Sequence, residues 1–233
     1  MKKTILICAL TAVLSACGGG GSSSSAASES TVSTSFPLAS AYKNLIASGK
    51  ATNYAISGTC SGSGSISASA PSSSTFEGSS ALSVTATSTY SFTNCTPASV
   101  AGSSISYYDS NYNFIGHTVA GQEYGKFISG TNALPTSVKV GDTAIYGTET
   151  IYSDSTKQTV IGTRALSFII EQDGSSSSSV IANAITKNYN ASNQLTFTQQ
   201  TRYRLGVDGS FTPVSIDIQY STTSSTHLIL TAK

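Results

Sequence analysis

The sequence predicts an all-β fold, an antiparallel meander that forms a sandwich or an open, strongly curved barrel, with one short helix near the N-terminus. Three observations carry this prediction. Apolar residues alternate with serine and threonine, in runs of about ten residues, over most of the chain. Turn residues separate these runs in the C-terminal half, near Asp154, Gly174, Asn190, Gly209 and Ser224. One hairpin pattern, around Asp208-Gly209, agrees both with a known turn chemistry and with the apolar pattern.

The chain begins with the charge pattern of an export signal. Lys2 and Lys3 precede an apolar run from Ile5 to Val13, which is the order of the charged and hydrophobic regions of a signal peptide. The run is too short to cross a bilayer, because a spanning helix needs about 20 apolar residues. Residues 1–16 are therefore predicted to be a signal peptide that is removed.

The four residues Leu14-Ser15-Ala16-Cys17 resemble the lipobox of bacterial lipoproteins. The resemblance implies cleavage before Cys17 and acylation of its sulfur, since a thiolate is the nucleophile that can form a thioether to a diacylglyceryl group. Two or more acyl chains anchor a protein stably, whereas one chain does so only marginally. Gly18 follows the cysteine in place of aspartate, which in enterobacterial lipoproteins implies transport to the outer membrane. The sequence predicts a location at the outer membrane, either on its periplasmic face or at the cell surface.

The segment after the cysteine predicts a flexible tether. Residues 17–35 consist mostly of glycine, serine, alanine and threonine, with a single charge at Glu29, so they bury too little apolar surface to offset the entropy of ordering. A tether of this kind reaches about 25 Å on average. Residues 36–233 follow as one predicted β-rich domain, because a single core is sufficient for a segment of this length.

Charge excludes one class of partner. Charged residues are 10% of the chain and the formal net charge is +1, which becomes −1 once Lys2 and Lys3 are removed. Such a chain has no field that attracts nucleic acid. We therefore expect the membrane to be contacted through the N-terminal lipid, and any further partner to be an envelope protein or a hydrophobic ligand.

A short helix is predicted at the start of the domain. Leu38, Tyr42, Leu45 and Ile46 recur at helical spacing, and Gly49 provides a stop. Because its apolar residues lie on one face, we expect this helix to cover one end of a sheet.

Two hairpins are predicted in the N-terminal half. The first runs from Tyr54 to Ile66 and turns at the cysteine and glycines between them, and the second runs from Tyr107 to Gly116 and turns on Asp109-Ser110-Asn111. Between the two hairpins, the stretch 81–92 alternates apolar and hydroxyl side chains and predicts a strand that leads into Cys95.

Two cysteines predict a disulfide. Cys8 leaves with the signal peptide and Cys17 is the predicted site of acylation, so Cys60 and Cys95 remain as a pair in an oxidising compartment. The loop that they close would stabilise the fold by at most about 4 kcal/mol in the chain-entropy description. The pair has too few neighbouring ligands to predict a zinc site.

The Asp208-Gly209 hairpin is the best-defined prediction of register. A two-residue turn there predicts four cross-strand pairs, Tyr203–Val214, Thr201–Ile216, Gln199–Ile218 and Phe197–Tyr220. The large apolar residues then share one face of the sheet, while Arg202 and Asp217 lie diagonally on the other and form a predicted surface ion pair.

No motif in the domain carries chemistry, so no catalytic residue, metal ligand or cofactor is predicted. His117 ends a hairpin and His227 begins the last strand, and neither accompanies a nucleophile motif, so both are interpreted as surface or strand-end residues. The leading hypothesis is a non-enzymatic, membrane-anchored module that binds a partner or supports the envelope. A periplasmic carrier or sensor of a hydrophobic ligand is the alternative, and a hydrolase with dispersed residues is the third.

Overall fold

A computed structural model of the protein describes residues 34–128, 133–221 and 226–233. The predicted signal peptide, Cys17 and all but the last two residues of the predicted tether lie outside the described residues, as does the predicted turn at Ser224.

The described residues form one helix and thirteen strands. They are α1 (Leu38–Ser48), β1 (Ala51–Gly58), β2 (Gly62–Ala68), β3 (Ser72–Phe76), β4 (Ser79–Phe92), β5 (Ser99–Tyr108), β6 (Phe114–Val119), β7 (Glu123–Phe127), β8 (Thr143–Tyr152), β9 (Val160–Gln172), β10 (Ser179–Asn190), β11 (Leu195–Gly206), β12 (Phe211–Tyr220) and β13 (His227–Ala232). The all-β prediction, the short helix and the six-stranded C-terminal meander are thereby confirmed.

The sheet closes into a twelve-position antiparallel barrel, and neither a sandwich nor an open barrel forms. Consecutive strands pair from β4 to β13, and β13 then pairs with β1. Strands β2 and β3 both pair with the same edge of β4, β2 along Ala86–Phe92 and β3 along Ser79–Ser83. They act as one strand position that is interrupted near Pro71, because proline lacks the N–H that a continuous ladder requires.

The helix covers one mouth of the barrel, as the sequence predicted. Leu38, Ala41 and Ile46 are buried and pack with inward-facing side chains from β4 to β12. Phe36, just before the helix, forms a two-way backbone bridge to Val138, with both N···O distances 2.9 Å. The helix ends at Gly49, whose φ of 52° is left-handed and therefore suits glycine.

The Asp208-Gly209 hairpin differs from its prediction at one point. Three of the four predicted pairs are confirmed, Thr201–Ile216, Gln199–Ile218 and Phe197–Tyr220. Tyr203 pairs with Pro213 instead of Val214, because the loop has three residues, Val207 to Gly209, rather than two. A bulge at Arg202/Tyr203 leaves Val214 as an extra residue, which restores the predicted register along the rest of the hairpin.

The predicted ion pair between Arg202 and Asp217 is wrong. Arg202 Nε lies 3.4 Å from Glu171 Oε2, and Asp217 Oδ1 lies 2.8 Å from His227 Nε2. Each residue is paired with a strand outside the hairpin, β9 in one case and β13 in the other. The hairpin alone therefore does not identify their partners.

The sulfur atoms of Cys60 and Cys95 lie at disulfide-bonding distance, with their Cα atoms 5.7 Å apart. Cys60 follows β1 and Cys95 follows β4, at the end of the barrel away from the helix. The pair belongs to a second apolar cluster, formed by inward residues of β1, β2, β4, β12 and β13. The predicted pairing of these two cysteines thus agrees with the fold.

Candidate functional site

Five polar side chains meet inside the barrel wall formed by β6 to β10. His117, Glu123, Glu149, Arg164 and Asn188 come from five successive strands, and we call them the buried cluster. They are 1%, 8%, 0%, 2% and 7% exposed, respectively. Ionisable side chains are almost never buried to this degree unless they are paired, so the contacts within the cluster determine what it can do.

His117 lies between the two carboxylates. Its Nδ1 is 2.8 Å from Glu149 Oε1, and its Nε2 is 2.8 Å from Glu123 Oε1. An ionised carboxylate only accepts hydrogen bonds, so both ring nitrogens must donate. A ring that donates from both nitrogens is an imidazolium cation. The geometry therefore assigns a positive charge to His117.

Arg164 provides the second cation. Its Nη2 donates to Glu123 Oε1 at 2.8 Å, its Nη1 faces Glu149 Oε2 at 3.4 Å, and its Nε donates to Asn188 Oδ1 at 2.8 Å. The Nη1 atom also lies 3.0 Å from His117 Nε2, a contact between two cations that the carboxylates on either side offset. Two carboxylates and two cations make the buried cluster electrically neutral.

The titration of the cluster follows from this arrangement. Burial disfavours a charged ring, but attraction to Glu149 and the hydrogen bonds to both glutamates outweigh it and raise the pKa of His117 above 6.5. Burial likewise opposes ionisation of Glu123, yet attraction to Arg164 and the hydrogen bond from His117 lower the pKa of Glu123 well below its usual range. Both directions favour the charged forms.

Strand β7 leaves room for the ring through Gly125. A Cβ atom at this position would lie 2.2 Å from His117 Cε1 and 2.7 Å from Glu149 Oε1. Any side chain there would displace the imidazole from between its two carboxylates. Gly125 is thus part of the cluster's construction, although it contributes no polar atom.

The interpretation of His117 as a surface or strand-end residue is wrong. A bulge at Tyr107/Tyr108 shifts the pairing of β5 with β6. Beyond this bulge, His117 pairs with Ser106, and its side chain points into the barrel. Sequence reasoning also missed Glu123, Glu149 and Arg164 as buried residues. The available signal was Arg164, which stands in phase with the inward residues Leu166 and Phe168 of the same strand.

The buried cluster contains the residue types of an acid–base site, but solvent has little access to them. His117 separates the two glutamates, whose oxygens approach opposite nitrogens of the ring and so do not converge on one point. No group of three His, Cys, Asp or Glu side chains in the described ranges is arranged to hold a metal ion. Every member of the cluster is at most 8% exposed, so the cluster is shielded from solvent.

Hydroxyl and amide groups continue from the cluster around the inner wall. Ser104, Thr186, Gln199 and Thr201 are buried, and Gln199 Nε2 donates to Thr201 Oγ1 at 3.1 Å. Among the residues that the structure describes, Ser104 Oγ and Asn188 Nδ2 have no hydrogen-bond partner. The inner wall thus carries buried polar side chains on β5, β10 and β11 in addition to the buried cluster, whereas the buried inward residues of β12, β13 and β1 are apolar.

A small apolar cavity lies between the helix and the wall. Its volume is about 40 Å³, and its lining includes Ile46, Ile66, Val84, Tyr108 and Tyr203. Burial raises the pKa of Tyr108 to about 12, even though hydrogen bonds from Tyr42 and Ser106 act in the opposite direction. A cavity of this size holds one or two water molecules; drug-sized ligands occupy several hundred cubic ångströms.

The outer wall carries a larger, polar groove. It measures about 400 Å³ and crosses β1, β2 and β4, with a lining that includes Asn53, Ser63, Ser65, Thr89, Ser91 and Lys233. Ser65 and Thr89 are joined by a hydrogen bond of 2.9 Å between their hydroxyls. Short side chains on β2 leave this part of the wall indented.

Comparison with known proteins finds no relative: no family model, no curated protein and no solved structure matches the chain. In the part of the chain that the structure describes, no helix is both long and apolar enough to cross a membrane.

Proposed function

We propose that the protein is a lipid-anchored, non-enzymatic binding module of the bacterial cell envelope, held at the outer membrane through acylated Cys17. The observation that carries this proposal is the filled interior of the barrel. The cavity of about 40 Å³ is too small for a lipid, and the buried cluster is shielded from solvent. Binding is then left to the outer wall, where the polar groove of about 400 Å³ lies.

The tether fits a binding role at short range. Residues 18–35, of which all but the last two lie outside the described residues, contain one charge and little apolar surface, and we propose that they tether the barrel within about 25 Å of its anchor. The disulfide proposed between Cys60 and Cys95 suits an oxidising compartment. Both features agree with a small module that presents its outer wall to a neighbour in the envelope.

The anchor is tested by Cys17→Ser in the full-length protein expressed in its own host. We expect the variant to accumulate as uncleaved precursor and to lose labelling by a fatty-acid probe. Cys8→Ser is the matched control, because it removes a thiol from the same precursor in front of the predicted cleavage site. Normal processing of Cys17→Ser would refute the anchor.

The binding role is tested by native mass spectrometry of the full-length protein extracted from its own membrane. We expect the mass of the acylated chain, with no further lipid. A photo-crosslinking residue at Ser91, in the groove, should then give discrete adducts that the same residue at Gln219, on another part of the outer wall, does not give. Equal labelling at both positions would contradict a groove-specific partner.

The hydrophobic carrier is the second candidate, because an apolar cavity lined by Ile46, Ile66 and Val84 lies between the helix and the wall. A co-purifying lipid, retained in a fixed ratio to the protein, would favour the carrier over the binding module.

A further inference from the structure

The tip of the β3–β4 hairpin folds over the outside of the barrel wall. Phe76 is the last residue of β3, and Glu77 and Gly78 form the turn with φ angles of 52° and 78°. The Phe76 ring stacks between two tyrosines, with centroid distances of 4.5 Å to Tyr107 and 5.4 Å to Tyr124 and interplanar angles of 25° and 18°. The ring is thus held face to face in an aromatic slot.

Gly116 shapes the floor of this slot. A Cβ atom there would lie 2.3 Å from Phe76 Cζ, so only a position without a side chain lets the ring reach the wall. Phe76 is 6% exposed as a result. The slot is matched to a flat ring in both width and depth.

Beside the slot, three donors converge on the carboxylate of Glu77. Tyr124 Oη donates to Oε1 at 2.5 Å, Lys126 Nζ donates to Oε2 at 2.6 Å, and Lys157 Nζ lies 2.8 Å and 2.6 Å from the two oxygens. Hydrogen bonds from Lys126, Lys157 and Tyr124 lower the pKa of Glu77 to about 2. Two lysines face one carboxylate, so the site keeps an excess positive charge.

We propose that this aromatic and cationic site is a recognition site for a partner protein segment that presents an aromatic side chain next to a carboxylate. The chain's own Phe76-Glu77 occupies the site as an internal ligand, which the partner displaces. We call the closed arrangement the clasp. The proposal rests on the binding role proposed above and adds to it a second site on the outer wall, at Tyr107, Tyr124, Lys126 and Lys157, apart from the polar groove.

The clasp is built so that it can open without loss of the barrel. Phe76, Ala81 and Tyr124 form an apolar cluster of their own, separate from the two clusters inside the barrel. Strand β3 has five residues and pairs only with β4 in the described sheet. Its release would therefore expose one small cluster and one strand edge, while the closed ring of strands stays paired through β2 and β4.

The ion pairs of the clasp are also exchangeable. The side chains of Glu77, Lys126 and Lys157 are 20%, 44% and 33% exposed, so water and a competing carboxylate can reach them. Glu77 holds a left-handed φ angle of 52°, which non-glycine residues adopt with strain. An incoming segment that presents its carboxylate without that strain would bind the two lysines more favourably.

The test uses the full-length protein and a fluorescent, disulfide-cyclised hairpin peptide that copies residues 72–83 of the chain. The double variant Phe76→Ser/Glu77→Gln empties the site, and its circular dichroism and melting curve must match a folded barrel. We expect it to bind the peptide at least about tenfold more tightly than the wild type, because the internal ligand no longer competes. If the double variant does not fold, Glu77→Gln alone, which frees the two lysines but leaves Phe76 in the slot, should give a smaller gain in the same direction.

Two controls test whether the peptide is held by the same groups as the internal ligand. Lys126→Ala/Lys157→Ala in the emptied protein should weaken binding by about fivefold, and so should a peptide in which the glutamate is replaced by glutamine. A folded, emptied variant that does not bind would overturn the proposal, and so would equal binding by wild type and variant. A wild-type dimer that the peptide dissociates would assign the site to a second copy and overturn the partner. Because these measurements use purified protein, they are independent of whether Cys17 is acylated.

Discussion

Strand β7 carries two charged clusters on its two faces. Glu123 and Gly125 face the barrel interior and belong to the buried cluster, whereas Tyr124 and Lys126 face outward and belong to the clasp. Each cluster joins carboxylates to cations at 2.6–2.8 Å. The two sites therefore share their chemistry and a single backbone layer, and they differ in access to water.

This difference in access to water determines how much stability is lost when one partner of an ion pair is removed. Outside, water solvates any group that loses its partner, so an exposed pair contributes under about 1 kcal/mol. Inside, a charge that loses its partner stays desolvated, and removal of one member destabilises a protein by about 3–5 kcal/mol. The inner cluster therefore constrains the fold, while the outer one remains free to exchange partners.

The largest expected effect is that of Arg164→Met. The substitution keeps much of the side-chain volume but leaves Glu123 and Glu149 with His117 as their only cation, so we expect the free energy of unfolding to fall by about 3–5 kcal/mol. Urea unfolding followed by circular dichroism measures it. Arg204→Met is the control on the outer wall, where Arg204 pairs with Asp173 and is half exposed; it should lose under about 1 kcal/mol. Equal losses would remove the distinction between the two faces.

A methyl group tests the same contrast along β7. Gly125→Ala places a Cβ atom 2.2 Å from His117 Cε1, and such overpacking should destabilise the protein by about 1–3 kcal/mol. Lys126→Ala, one residue further and on the outer face, should change stability by under about 1 kcal/mol. The same urea titrations compare the two. A harmless Gly125→Ala would mean that the imidazole is not fixed between its carboxylates.

His117 on the inner face and Glu77 on the outer face should respond to pH with opposite sign. The folded pKa of His117 is raised above 6.5, so its contribution is fully present below about 6.5 and is lost as pH rises through the folded value. The pKa of Glu77 is lowered from 4.5 to about 2, so its contribution is present above 4.5 and is lost as pH falls toward 2. Unfolding curves of wild type, His117→Gln and Glu77→Gln across these ranges measure both. An unchanged alkaline slope in His117→Gln would contradict the imidazolium assignment.

The smallest effect is expected in a double-mutant cycle of Glu77→Gln and Lys126→Ala. Each change alone should lower stability by under about 1 kcal/mol, with a coupling energy of about 0.2–1 kcal/mol. The coupling should shrink further at 1 M salt, where exposed charges are screened. A coupling above about 2 kcal/mol would show that the clasp is held too firmly to exchange its ligand.

Local patterns determined much of the fold. Helical spacing and Gly49 predicted the helix, period-two alternation predicted the strands, and turn chemistry predicted most pairs of the β11–β12 hairpin. These properties depend on residues that are close in sequence, where backbone geometry fixes which side chains share a face. The pairing of Cys60 with Cys95 followed from their number and their compartment. The fate of residues 1–17 stays a prediction from the same kind of local pattern.

Tertiary structure decided the closure of the barrel and the buried cluster. Closure depends on β2 and β3 pairing with the same edge of β4 as one interrupted strand position. No single hairpin encodes this arrangement. Bulges hid the inward phase of two cluster residues: His117 follows the bulge of β5–β6, and Glu149 points inward three residues after Tyr146 because of the bulge at Ile145–Gly147. Arg164 alternates in phase with the inward residues of its own strand, so its burial could be predicted from the sequence. The carboxylates that neutralise it, however, lie on other strands. Side-chain periodicity assigns a residue to a face of its own strand, whereas the charges that make its burial possible are assembled only when the sheet closes.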